Sequence, residues 1–222
     1  MIKTLALIKR RSSIDRSAFR EHYETVHVPL ALPLLEGLSR YVRYHIETER
    51  FGDCDFDVLT AFWYRDKAAT DRVFARIEGD EGAAIRKDEL EFMDKNGNRF
   101  FAVSERGWQP GEEGDEHLFV LISRPVGMSR SDSSSKLAAD HWPRLLAGFD
   151  RPGFALLRDA FPMSGDDLPY DSVMQIRAGQ IASLESWARS LNAEGYGVTA
   201  IGTRLFETKL ATPISSRVEA GA

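Results

Sequence analysis

The chain has 222 residues, with five histidines and one cysteine, 43% hydrophobic and 28% charged residues, a formal net charge of -5 and a pI of about 5.6. That balance excludes the clustered basic footprint of a nucleic-acid-binding protein, and the single thiol, Cys54, excludes an internal disulfide and a cysteine-based metal cluster. No apolar run reaches the roughly 18 residues of a membrane span and no charged-then-apolar leader opens the chain, so a cytoplasmic location is expected.

The first predicted element is a strand over residues 2–8, IKTLALI, followed by the basic run Lys9-Arg10-Arg11, which reads as a solvated loop. Asp15 is a good N-cap for the helix that follows. At helical spacing Phe19, Tyr23, Val26 and Leu30 fall on one stripe, the expected buried face. His22 and His27 flank that stripe on opposite borders, too far apart around the helix to share a metal ion. His22 reads as a surface residue. Pro29 should end or kink the regular helix near Val28. That leaves His27 on the last turn, where the helix's negative end favours the imidazolium unless burial opposes it.

A strand from Leu38, LSRYVRYHIE, comes next. Its alternation places Tyr41, Arg43 and His45 on one face and Arg40, Val42, Tyr44 and Ile46 on the other, without saying which looks inward. A polar hairpin, TERFGDCD, carries Glu47 and Glu49 as a solvated edge. In the strand FDVLTAFWY from Phe56, Thr60 and Phe62 oppose Ala61 and Trp63. A helical stretch over about 66–93, a turn at NGN (96–98) and the strand RFFAVSERGW complete the unit.

The same order then recurs. A strand at 117–123 leads to a helix that stops at His141-Trp142-Pro143, echoing His27-Val28-Pro29. A strand from Gly153, the hairpin PMSGDDLP, a strand from Tyr170, a helix over 181–194 and the strand GVTAIGTRLFET follow. The Gly-, Pro- and acid-rich QPGEEGDE, residues 109–116, is the clear linker. It divides a first repeat (1–108) from a second (117–210), with a flexible tail at 211–222. Each repeat reads β-α-β-β-α-β, the ferredoxin-like unit. Strands with large apolar groups on both faces need a second cover. Two tandem units supply it by closing into an α+β, eight-stranded antiparallel barrel with helices outside.

The opening MIKTLALIKRRSSIDRSAFREHYETVHVPLA resembles that of EthD-type proteins of the dimeric α/β-barrel superfamily: a strand ending in a basic residue, then a helix with Phe19, Tyr23 and His27, then Pro29. The match extends to about residue 107. Over 116–210 it rests on element order, Asp140-His141-Trp142-Pro143 and the final strand. The resemblance implies a barrel normally made by two chains, here made within one by tandem duplication. It also implies kinship with cofactor-independent isomerases, cyclases and lyases of lactones or polyketide-like aromatics, with cofactor-free quinone-forming monooxygenases and, more distantly, with haem-handling enzymes.

A pocket built from His27, Tyr23, Tyr41 or Tyr44, Phe62 and Trp63 would be apolar with few polar groups, the usual form of a small-molecule site. His27 is the expected general acid/base, Tyr23 or Tyr41 the group that orients the substrate, and His45 a second proton-handling residue. His141 lies on the Leu137, Ala138, Leu145 stripe and reads first as a buried structural residue and second as a substrate contact. Trp142 reads equally as packing or cavity wall. Asp140 and His141, being adjacent, point apart and are not a dyad. The expected partner is a hydrophobic, oxygenated, cyclic or aromatic small molecule, with no metal and no cofactor. The alternatives are a monooxygenase of an aromatic, cofactor-free or haem-linked, and a non-catalytic binding protein. Homodimerisation of the pseudo-dimeric chain through an exposed sheet edge stays open.

Overall fold

The computed structural model describes residues 1–110, 114–148, 154–163, 168–177 and 184–210. Strand β1 (Ile2–Ile8) leads to a helical segment in four pieces: α1 (Arg16–His22), a π-turn (Tyr23–His27), α2 (Val28–Ala31) and a 3-10 turn (Leu32–Leu34). β2 (Leu38–Phe51), β3 (Val58–Tyr64), α3 (Lys67–Glu78), α4 (Ala83–Phe92) and β4 (Arg99–Gln109) complete the first half. The second half has β5 (Glu116–Ser123), α5 (Arg130–Lys136), a π-turn (Leu137–His141), α6 (Trp142–Ala147), β6 (Ala155–Pro162), β7 (Ser172–Arg177), α7 (Leu184–Ala193) and β8 (Gly197–Thr208). The expected tail at 211–222, linker residues 111–113 and the start of the last expected helix, 181–183, lie outside the described residues.

The strands form a closed antiparallel barrel in the order β1-β3-β2-β8-β5-β7-β6-β4, with β4 returning to β1. Each half contributes four neighbouring strands, and the halves meet at two seams, β2–β8 and β4–β6. Closure removes strand edges, so the exposed edge that left self-association open is absent from the described barrel. Closure also explains why β2 overruns its expected end. TERF, read as hairpin, is strand, because β8 continues to pair with β2 as far as Phe51 opposite Ala200. Glu47 and Glu49 therefore sit on a paired strand, where they meet Arg20 at 2.8 Å and Arg16 at 2.5 Å. The helical stretch 66–93 is two helices broken at Gly79–Gly82. A Cβ on Gly82 would lie 1.8 Å from the Ile77 carbonyl oxygen.

Apolar side chains form three cores. One fills the barrel, drawing on both halves through Leu5, Val42, Tyr44, Phe101, Phe119 and Ile201. The second lies between the first-half helices and the outer sheet face, with Phe19, Tyr23, Tyr41 and Phe92. The third is its second-half counterpart, with Leu137, Trp142, Leu157 and Trp187.

Each half is pinned at the same place by an aspartate. The Asp57 amide donates to the Ile8 carbonyl at 2.8 Å, while its carboxylate accepts from the Arg10 amide (2.9 Å) and from Nε of Arg10 (3.1 Å) and Arg16 (2.9 Å). Asp171 does the same with the Ile122 carbonyl (2.8 Å), the Arg124 amide (2.8 Å), the Arg124 guanidinium and Arg130 Nη1 (2.9 Å). Part of the basic run expected to be solvated is thus an anchor, because a buried carboxylate requires cationic partners.

Neither proline ends its helix. The Val28 amide donates to the Tyr23 carbonyl, and the Trp142 amide to that of Leu137, both five residues back. A proline ring clashes with the carbonyl four residues earlier in a regular α-helix. One wide turn before the proline accommodates it, and the helix continues through Pro29 and Pro143. The extra residue in that turn rotates the following face. Val26 and Leu30, expected inside, are each 39% exposed, and His27, Val28 and Ala31 are buried instead.

Candidate active site

The layer between the first-half helices and the sheet holds two carboxylate–imidazole pairs. Asp88 on α4 brings Oδ2 to 2.9 Å from His27 Nδ1 and Oδ1 to 2.7 Å from His22 Nε2. Glu24, inside the π-turn, brings Oε1 to 2.7 Å from His45 Nε2 and accepts from Nε of Arg43 at 3.1 Å, with a second Arg43 nitrogen on Oε2. Tyr23 lies between the pairs. Its ring meets His27 and His45 edge-on, at 4.9 Å and 5.6 Å between centroids, and its hydroxyl is 3.1 Å from Thr60 Oγ1. Phe19 and Phe92 close the aromatic shell. Tyr41 stacks on Phe62 at 5.2 Å, with the Arg43 guanidinium 4.6 Å from its own ring.

Burial is the largest influence on both imidazoles and holds His27 and His45 below the ordinary histidine range, although Asp88 and Glu24 pull the other way. The expected upward pull of the helix end on His27 is outweighed by desolvation. Burial likewise raises the Tyr23 phenol against its bond to Thr60, and raises Tyr41 well above the usual value. Burial alone would raise Glu24 too, but the hydrogen bonds from His45 and Arg43 keep it below the usual carboxylate range. At neutral pH His27 and His45 are thus uncharged and the Tyr23 and Tyr41 phenols protonated. Asp88 accepts from Nδ1–H of His27, which fixes the tautomer and leaves Nε2 as the basic nitrogen.

The structure brings His27, Tyr23, His45, Tyr41 and Phe62 together. It places Tyr44 and Trp63 on the opposite sheet face, toward the barrel interior, since alternate strand residues point to opposite faces. His141 and Trp142 belong to the second half's helix layer, across the barrel from His27. His141 is fully buried, 3.4 Å from the Glu194 carboxylate and 5.6 Å between ring centroids from Tyr196, and burial lowers its pKa. Its peptide carbonyl accepts from the Trp187 indole at 3.1 Å, which fits the structural reading. Trp142 packs into the same core and stands against Gly107, where a Cβ would lie 3.0 Å from the indole nitrogen.

Three polar partners in the layer escaped the sequence reading: Asp88, Glu24 and Thr60. Asp88 had left a signal, because Ile85, Asp88 and Phe92 are spaced by three and four and are the buried residues of α4. An acid on an apolar stripe needs a buried partner. Clefts open at the barrel ends among the described residues. One of about 830 Å³ adjoins Arg10, Arg16 and Asp57, whose charges are already paired with one another. Another, of about 430 Å³, adjoins Tyr44 and Trp63. Among the described residues no cluster of three or more His, Cys, Asp or Glu is arranged to hold a metal, and no helix is long and apolar enough to cross a membrane.

The family model for the EthD domain matches residues 11–96, which span α1 through α4 and hence both carboxylate–imidazole pairs. An EthD family protein of Bacillus halodurans C-125 is 27% identical over 43% of this chain and 90% of its own, with a TM-score of 0.34. Over nearly the whole chain the fold is that of an anthrone oxidase-like protein (10% identity, 96% of this chain and 95% of that one, TM-score 0.64). The chlorite dismutase of Candidatus Nitrospira defluvii shares it more loosely (12% identity, 94% and 91%, TM-score 0.50). The chain therefore shares the barrel fold of these structures, and the segment that the EthD model matches contains the candidate site. No curated protein sequence matches it significantly.

Proposed function

We propose that the EthD half is a cofactor-independent isomerase, cyclase or lyase that moves a proton on a hydrophobic, oxygenated, cyclic or aromatic small molecule. One observation carries the reading: the His27–Asp88 pair at 2.9 Å, set in an aromatic shell beside the Tyr23 phenol. The neutral Nε2 of His27 takes a proton from carbon next to a substrate carbonyl, and Asp88 stabilises the imidazolium that forms. The Tyr23 hydroxyl donates to the developing enolate oxygen. His27 then returns the proton to a second carbon or to a leaving group. His45, on Glu24, is a second relay on the same sheet face. His27 is 5% exposed and Tyr23 2%, so substrate access requires the π-turn segment to swing outward.

The reading also takes the chain to be a tandem duplication. A single offset of 114 residues (141 minus 27) relates His27 to His141, Pro29 to Pro143, Arg10 to Arg124, Arg16 to Arg130 and Asp57 to Asp171. The test is proton exchange. Incubating the protein in D2O with a panel of enolisable lactones and aromatic ketones should give NMR-detected deuterium incorporation that His27→Gln abolishes. Exchange indifferent to that substitution refutes the role of His27. Oxygen consumption with a phenolic substrate moves the assignment to the monooxygenase class, and binding without turnover moves it to an accessory protein.

A further inference from the structure

In each half the histidine that ends the π-turn shares a carboxylate with the residue five positions before it. In the first half Asp88, on α4, meets His27 Nδ1 at 2.9 Å and His22 Nε2 at 2.7 Å, with one imidazole on each oxygen. In the second half Glu194, just after α7, plays the corresponding part. Its Oε2 lies 2.6 Å from Lys136 Nζ and 3.4 Å from His141 Nε2. The offset that relates His27 to His141 also relates His22 to Lys136. The two trios are thus one arrangement with a different residue at the outer position. Their outcomes differ. Asp88 bonds both its neighbours, whereas Glu194 bonds Lys136 and leaves both ring nitrogens of His141 without a hydrogen bond among the described residues. A lysine ammonium is a compact charge and draws the carboxylate to itself. Histidine is a cation only when protonated, and its protonation changes in the neutral range.

We propose that the residue at position 22 sets how much of Asp88 is available to His27, and that histidine there ties that share to pH. The inference deepens the His27 reading and rests on it for its catalytic consequence. While His22 is neutral, its Nε2–H steadies Oδ1 and leaves Oδ2 to stabilise an imidazolium at His27. Once protonated, His22 holds Asp88 as Lys136 holds Glu194, and a second positive charge on His27 is opposed. His22 is placed to exchange protons with water, its side chain being 30% exposed against 6% for His27. Burial lowers the His27 pKa most, the Asp88 bond and the charges of Glu89 and Asp88 raise it, and His22 lowers it. Glu89 is itself paired with Lys95, and Glu24, beside Tyr23, is held by Arg43 and His45. At His141 burial again comes first, with Arg144 and Lys136 lowering the pKa and Glu194 and Asp140 raising it. His22 is a positioning residue, acting on a substrate only through Asp88 and His27.

The test follows the histidine ring nitrogens of the intact protein by NMR from about pH 8 to about pH 5, across the ordinary histidine range. His27→Gln assigns the His27 signals. His22→Lys copies the second half and should remove the Nδ1–H bond of His27 and its fixed tautomer. In the deuterium-exchange assay near neutral pH it should lower the rate about tenfold or more. His22→Gln, a neutral donor at every pH, should keep the bond and hold the neutral-pH rate within about twofold, while raising the His27 midpoint by about one pH unit. Lys136→Met frees Glu194 and should raise the His141 midpoint without moving that of His27. The proposal is overturned if His22→Lys leaves the His27 tautomer and midpoint as in the wild type. It is overturned as well if the Lys and Gln variants change His27 alike, as loss of packing would. These spectra need no substrate. Absence of turnover across the substrate panel therefore refutes the proton-transfer reading, while the shared Asp88 is judged on the titrations alone.

Discussion

The helix–sheet layers of the two halves share a frame and differ in contents. Both have the wide turn before a proline, both end it on a buried histidine, and both hang from an aspartate with two arginines. At the same offset, however, Tyr23 faces Leu137, Glu24 faces Ala138, Tyr41 faces Ala155, Arg43 faces Leu157 and Thr60 faces Met174. The first layer ties two imidazoles to carboxylates around a buried tyrosine, whereas the second keeps a smaller polar group, Ser134 on Asp159 at 2.6 Å, apart from an imidazole set among hydrocarbon. What recurs in both halves belongs to the fold. What occurs in one is where a reaction can be sought. A histidine repeated before a proline is on this comparison a mark of the π-turn, and the proposed chemistry rests on Asp88 and Tyr23, which only His27 has as partners.

The largest difference should be catalytic. His27→Gln is expected to lower the rate about 10²- to 10⁴-fold, the ordinary worth of a general base, while His141→Gln leaves it within about twofold in the same exchange assay, its layer lacking the partners of His27. Equal losses would dissolve the comparison.

The second test concerns what the halves share. Asp57→Asn and Asp171→Asn each leave a paired arginine cluster without its buried anion, and each should cost about 2–3 kcal/mol in urea unfolding. Similar values would confirm equivalent anchors. A neutral Asp171 variant would show that only the first half needs one.

A third lies in pH. His27, His45 and His141 are all held below the ordinary imidazole range in the folded chain. The unfolded chain therefore binds more protons as pH falls below the ordinary histidine pKa, about 6.5. Stability is full above that value and is lost progressively on acidification through the lowered folded values. Urea midpoints at pH 7.5 and 5.5 should show the decline, and His27→Gln and His141→Gln should each flatten it. The catalytic rate should share an acid limb that lies below the ordinary histidine range, removed only with His27. The smallest effect is expected for Pro29→Ala and Pro143→Ala, about 1 kcal/mol or less, because the wide turn has already accommodated each ring.

The sequence carried the architecture well. Two rounds of strand, helix, hairpin, helix and strand were legible from alternation and turn residues, and the closed barrel followed from apolar groups on both strand faces. The stripe on the first helix was misjudged at Val26 and Leu30 because a five-residue hydrogen bond leaves no periodic trace and shifts all that follows. Tyr44 and Trp63 were pooled with Tyr41 and Phe62 because alternation separates two faces without naming the inner one. Asp88 lies 61 positions from His27, a distance no local pattern spans, though its place between Ile85 and Phe92 was readable.

The two seams carry a further consequence. In a barrel assembled from two identical chains, every substitution appears twice, once on each side of the axis, so neither layer can change alone. Here β2–β8 and β4–β6 join strands of one polypeptide, and each position is written once. Leucine can stand at 137 while tyrosine remains at 23. Covalent closure thus gives the barrel freedom to be asymmetric, and the cleft beside Tyr44 and Trp63, lined unequally from the two halves, is one expression of it.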